Sequence, residues 1–119
     1  MFSVDPMNKS PIYKQIIDQV LLLLSSGILR KDDQLPSIRD LASELGINPN
    51  TVARAYRELE AMEIIVSIPK KGSFISKSNL DSEIRKQALV SLTAWVEKFT
   101  KFGLDEDNLK DIFKEVVNA

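Results

Sequence analysis

The chain has 119 residues, 44% hydrophobic and 28% charged, enough to bury one core with a helical appendage and too few for two full-sized domains. It has no cysteine and no histidine, which excludes disulfides, thiolate zinc sites, cysteine nucleophiles and Ser-His pairs, and leaves an enzyme only carboxylates, lysines and tyrosines for proton transfer. The net charge of -1 divides weakly, into 10 Lys+Arg against 9 Asp+Glu over residues 1–78 and 6 against 8 over residues 79–119, so charge alone does not point to nucleic acid.

The longest apolar run, Val20 to Leu24, falls far short of the roughly 20 residues of a membrane span, and the N-terminus lacks the pattern of a signal peptide. A folded cytoplasmic protein with no membrane, metal or cofactor partner is expected. The first helix runs from Ile12 to Leu24, with Ile12, Ile16, Ile17, Val20, Leu21, Leu23 and Leu24 as its apolar stripe, Pro11 in its first turn and Gly27 near its end. Leu29 to Leu35 reads as a polar connection. Ser37 then caps a second helix, with Asp40 completing a variant capping box and Ile38, Leu41, Ala42 and Leu45 on the buried face.

Gly46 ends that helix, and Asn48 with Pro49 opens a third, whose apolar face is Val52, Ala55, Tyr56, Leu59 and Met62. Two short helices joined so tightly outline a helix-turn-helix. Ile64 to Ile68, the turn Pro69-Lys70-Lys71-Gly72 and Ser73 to Ser76 then read as a β-hairpin. A hairpin directly after a helix-turn-helix is the layout of a winged helix. From Asp81 to Phe102 a fourth helix carries Ile84, Ala88, Leu92, Trp95, Phe99 and Phe102, and a fifth follows Asp105-Glu106-Asp107 with Leu109, Ile112, Phe113 and Val116. The expected fold is mainly α with one small hairpin: a winged helix-turn-helix domain over residues 1–78 and a two-helix appendage over 79–119.

On a helical wheel the side of the third helix facing away from its apolar stripe carries Asn50, Arg54, Arg57 and Ala61. An α-helix fits the DNA major groove, where arginine pairs bidentately with guanine and asparagine with adenine. Asn50 and Arg54 lie in the first two turns, the part that enters the groove; Arg57 lies a turn deeper, within reach of a phosphate. Exposed arginines are also ordinary solvated charges, and Arg54 has Glu58 at i, i+4. Free N-H groups at the starts of the two short helices suit phosphates, and Ser37, Arg39, Asn48 and Thr51 cluster there, although Ser37 and Asn48 serve equally as plain caps. Lys70, Lys71 and Gly72 form a basic tip able to approach the minor groove or its flanking phosphates, or a simple exposed turn.

In this order and spacing "PIYKQI", "LPSIRDLASELGINPNTVARAYRELE" and "KGSFI" resemble the N-terminal winged-helix domain of GntR-family bacterial transcription regulators, over about Pro11 to Ile75. With only about 40 residues after the hairpin, the chain is similar to the small YtrA-type subfamily. That resemblance implies a homodimer on a palindromic double-stranded DNA operator, with the two C-terminal helices as the dimerisation unit. It carries DNA contacts onto Arg39, Asn48, Asn50, Thr51, Arg54 and Gly72, and implies a repressor of a transporter operon and of its own gene. The family usually has glycine where Asp32 and Glu63 stand, and aspartate tolerates a left-handed turn where glutamate does so less readily. It also usually has a second glycine in the wing tip, so a stiffer tip is expected here.

A fourth helix of roughly 30 Å cannot bury its apolar side alone. Leu92, Trp95, Phe99, Phe102, Leu109, Ile112, Phe113 and Val116 are therefore assigned to an isologous two-fold interface, the alternative being packing onto the winged-helix core. Operator sequence, regulated genes and any small-molecule effector are not legible. Two rivals stand beside the regulator: a winged helix repurposed for protein interaction, which would not need Arg54 or Arg57, and a small enzyme, for which no convergent cluster of carboxylates, lysines and tyrosines is evident.

Overall fold

The apolar spacing of Ile16, Ile17 and Val20 sets one face of helix α1, Ile12–Ser25, in a computed structural model that describes residues 1–76 and 80–119. Pro11 stands at the N-cap, one position ahead of the helical place expected for it. Helix α2, Ile38–Leu45, begins at Ser37, whose hydroxyl accepts the Asp40 amide at 3.0 Å. Only this serine half of the expected capping box forms. Gly46, at φ 68°, ends α2 in the left-handed region, and Ile47 N-H returns to Ala42 O at 3.0 Å. Asn48 at once caps α3, Pro49–Ala61, its side-chain oxygen accepting Asn50 N-H at 2.8 Å.

Strands β1, Ile65–Ile68, and β2, Gly72–Ile75, pair antiparallel in the register Ile65↔Ile75 to Ile68↔Gly72. Gly72 thus belongs to the strand rather than to the turn. Segment 29–35 is more than a polar connection. Leu29 and Leu35 are core residues, Gln34 bridges Phe74, and amide-carbonyl bonds join Asp32 N to Ile75 O, Ile75 N to Asp33 O and Leu35 N to Ser73 O. The wing is anchored along its inner edge before it reaches the tip.

Asp32, Glu63 and Lys70 adopt positive φ at 74°, 63° and 65°. The first two are the positions where the resemblance leads one to expect glycine. Glu63 closes α3 with the same cap that Gly46 gives α2, its N-H reaching Glu60 O and Ile64 N-H reaching Leu59 O, both at 2.9 Å. Lys70 occupies the third position of the tip turn closed by Lys71 N-H to Ile68 O at 3.0 Å, a place that favours glycine because a Cβ there crowds the backbone.

The chain divides into two compact units, Met1–Leu80 and Asp81–Ala119; the boundary expected between residues 78 and 79 lies outside the described residues. In the first unit α1, α2, α3 and the strands share one core, in which Ile16, Val20, Leu41, Val52, Leu59, Ile64 and Ile75 are fully enclosed. The N-terminal segment joins it: Phe2 is buried, Ser3 N-H donates to Gln19 Oε1 at 2.9 Å, and Gln15 holds both the N-H and the C=O of Asp5. The second unit is an αα-hairpin of α4, Leu80–Lys101, and α5, Glu106–Val117. Asp105 and Asn108 form a reciprocal capping box at the start of α5.

Candidate nucleic-acid interface

Four core residues, Val52, Ala55, Tyr56 and Leu59, lock one face of α3 inward, so its orientation is fixed from beneath. The Tyr56 hydroxyl donates to Pro36 O at 2.6 Å, tying α3 to the residue before the α2 cap. Burial raises the Tyr56 phenol well above its ordinary value, because the phenolate would lie in an apolar interior. The spacing of the two short helices is therefore set by packing together with one partly buried hydrogen bond.

Asn50, Arg54 and Arg57 are all exposed on the opposite side of α3. Arg39 projects from the first turn of α2 and is exposed, and Thr51 is half-buried. Ser37 and Asn48 are also exposed, each with its side-chain oxygen engaged as a cap. Among the described residues Arg39 and Arg57 form no ion pair, whereas Arg54 Nε lies 3.6 Å from Glu58 Oε1. The guanidinium of Arg54 also lies over the Tyr13 ring, with Cζ 3.8 Å from the centroid. The i, i+4 partner was legible in the sequence; the aromatic one, from α1, was not.

At the wing, Lys70, Lys71 and Gly72 are exposed. Gln34 Nε2 donates to Lys71 O at 3.0 Å, and a Cβ added to Gly72, whose φ is 120°, would come within 2.8 Å of that same nitrogen. Glycine at position 72 thus has a structural cause as well as the DNA-facing role the resemblance assigns it. Gln34 was not singled out in the sequence, since its partner lies 37 residues away. Within the first unit the exposed groups include an arginine-bearing helix face, two capped helix starts and a basic hairpin tip. Such groups suit phosphate and base-edge contacts.

Comparison with known proteins decides the family. The model of the bacterial regulatory proteins of the gntR family matches residues 12–75. The chain belongs to the GntR family. It is 45% identical over 78 residues to the HTH-type transcriptional repressor YtrA of Bacillus subtilis, covering 66% of this chain and 60% of YtrA. It is 32% identical over 109 residues to the uncharacterized HTH-type transcriptional regulator YhcF of the same organism, covering 90% of each. Among solved structures it is similar to a GntR family transcriptional regulator from Listeria monocytogenes, with a TM-score of 0.72, 28% identity, and coverage of 94% of this chain and 98% of that one. The chain carries the winged-helix fold of GntR-family transcriptional regulators and is similar to YtrA, and among the described residues no helix is long and apolar enough to cross a membrane.

Proposed function

We propose that the chain is a cytoplasmic repressor that binds a palindromic operator as a homodimer, reading base edges with Asn50 and Arg54. The observation carrying this reading is the exposure of both side chains on the leading half of α3 while the opposite face is locked in the core. Arg39 and Thr51, with the capped helix starts at Ser37 and Asn48, hold phosphates; Arg57 reaches a phosphate a turn deeper; Lys70, Lys71 and Gly72 follow the groove from the wing. Dimerisation runs through α4 and α5, where no described residue is buried and Leu92, Trp95, Phe102, Phe113 and Val116 are exposed. Phe99, Leu109 and Ile112 are half-buried between them. A helical hairpin without an interior of its own calls for a second surface. On the resemblance to the YtrA-type subfamily, the regulated genes we propose are a transporter operon and the regulator's own gene.

Fluorescence anisotropy against duplexes from upstream of its own gene tests the reading. A palindromic fragment should bind far more tightly than scrambled DNA at several salt concentrations. Arg54→Ala should remove about 1 to 3 kcal/mol of discrimination at one base pair per half-site, while Lys71→Ala should weaken all sequences and lower the salt slope by about 1 for each wing. Equal binding of palindromic and scrambled DNA would refute it.

A further inference from the structure

We propose that Tyr13 is a positioning residue for sequence reading: its ring face holds the guanidinium plane of Arg54 in the orientation in which it meets a base. The inference rests on the base-reading role assigned to Arg54 and adds a residue from a different helix to it. Tyr13 is the second residue of α1, half-buried, and the Arg54 Cζ lies 3.8 Å from its ring centroid. Arginine stacks readily on aromatic faces because its cation is planar and weakly hydrated. The second restraint is Glu58, which meets the Nε edge at 3.6 Å.

The ring therefore sets the plane of the fork and the carboxylate sets its rotation. The two terminal nitrogens, which make an end-on bidentate contact with guanine, have no ion pair among the described residues. A long side chain already confined in the free protein loses less freedom on binding, so more of its contact energy appears as discrimination. The carboxylate is half of the surface pair expected for an exposed helix, and such pairs are weak. Tyr13, anchored on the scaffold helix that packs against α3, is the stiffer of the two restraints.

Two measurements test this, one of them independent of DNA. In the free protein the Arg54 side-chain protons should resonate upfield under the ring current of Tyr13, in wild type and Tyr13→Phe, and return to ordinary positions in Tyr13→Leu; ordinary positions in wild type would overturn the proposal. In anisotropy titrations the ratio of operator to scrambled affinity should be kept within about twofold by Tyr13→Phe, and should fall about three- to tenfold in Tyr13→Leu with scrambled binding unchanged. In an Arg54→Ala background Tyr13→Leu should add nothing to the loss. If Tyr13→Leu fails to melt cooperatively, Tyr13→Met, similar in bulk, is read in the same way. An unchanged ratio in the aliphatic variant, a rise in it, or a loss in Tyr13→Phe as large as in Tyr13→Leu would each contradict the role. A wild type with the upfield signal but no preference for any duplex would refute the regulator reading instead, and with it the use of the stack in reading.

Discussion

Tyr56 shows how one side chain serves stability and site together. Its ring fills the core, and its hydroxyl binds Pro36 O across the gap between α3 and the start of α2. Tyr56→Phe keeps the ring and loses the bond, which should cost about 1 kcal/mol near neutral pH in urea unfolding. Burial raises the phenol's folded-state pKa above that of the unfolded chain. The stabilisation it gives is therefore whole below the ordinary tyrosine value of about 10 and is lost as pH rises beyond it, with a slope of up to about 1.4 kcal/mol per pH unit. The gap between wild type and Tyr56→Phe should narrow above pH 10 in parallel melts, and a constant gap would show that the phenol is not protected.

Among the elements, the wing depends most on distant partners. Gly72→Ala forces a Cβ toward Gln34 Nε2 at a φ of 120°. It should destabilise the chain by about 1 to 3 kcal/mol and speed amide exchange along β2, whereas an unchanged exchange pattern would show that the clamp from Gln34 is slack. Much of this level was legible in the sequence, because it is written in local signals: Ser37, Gly46 and Asn48 sit at helix ends where their caps are needed, and α1 and α3 follow their apolar spacing. Asp32 and Glu63, where the resemblance expects glycine, have positive φ. What escaped the sequence is long-range. The bonding of 32–35 to β2, the clamp from Gln34, the stack of Tyr13 on Arg54 and the burial of Phe2 each join residues far apart along the chain, and no periodicity encodes them. The polar look of 29–35 hid two core leucines, since two apolar residues six apart make neither a helical nor a strand pattern.

For the whole molecule the open apolar groove between α4 and α5 is decisive. It has a volume of about 600 Å³ and is lined by Leu92, Trp95, Val96, Leu109 and Phe113 among others. Trp95 and Phe99 meet at a tilt of 46° with ring centroids 4.9 Å apart, and Phe99 meets Phe102 edge-on at 6.0 Å, which orders the aromatic row without covering it. A charge placed there, as in Phe113→Glu, should convert the proposed dimer to a monomer by sedimentation equilibrium while leaving the melting of the winged-helix unit intact. Operator affinity should fall by about a hundredfold or more, because the second half-site would no longer be held nearby. An unchanged mass would place the dimer contact elsewhere. The most direct measurement of the central claim is a hydroxyl-radical footprint of the wild-type protein on DNA from upstream of its own gene. Paired recognition helices predict two protected patches related by a dyad, with centres about 10 to 10.5 base pairs apart or a multiple of that. A single patch, or uniform protection without dyad symmetry, would contradict it.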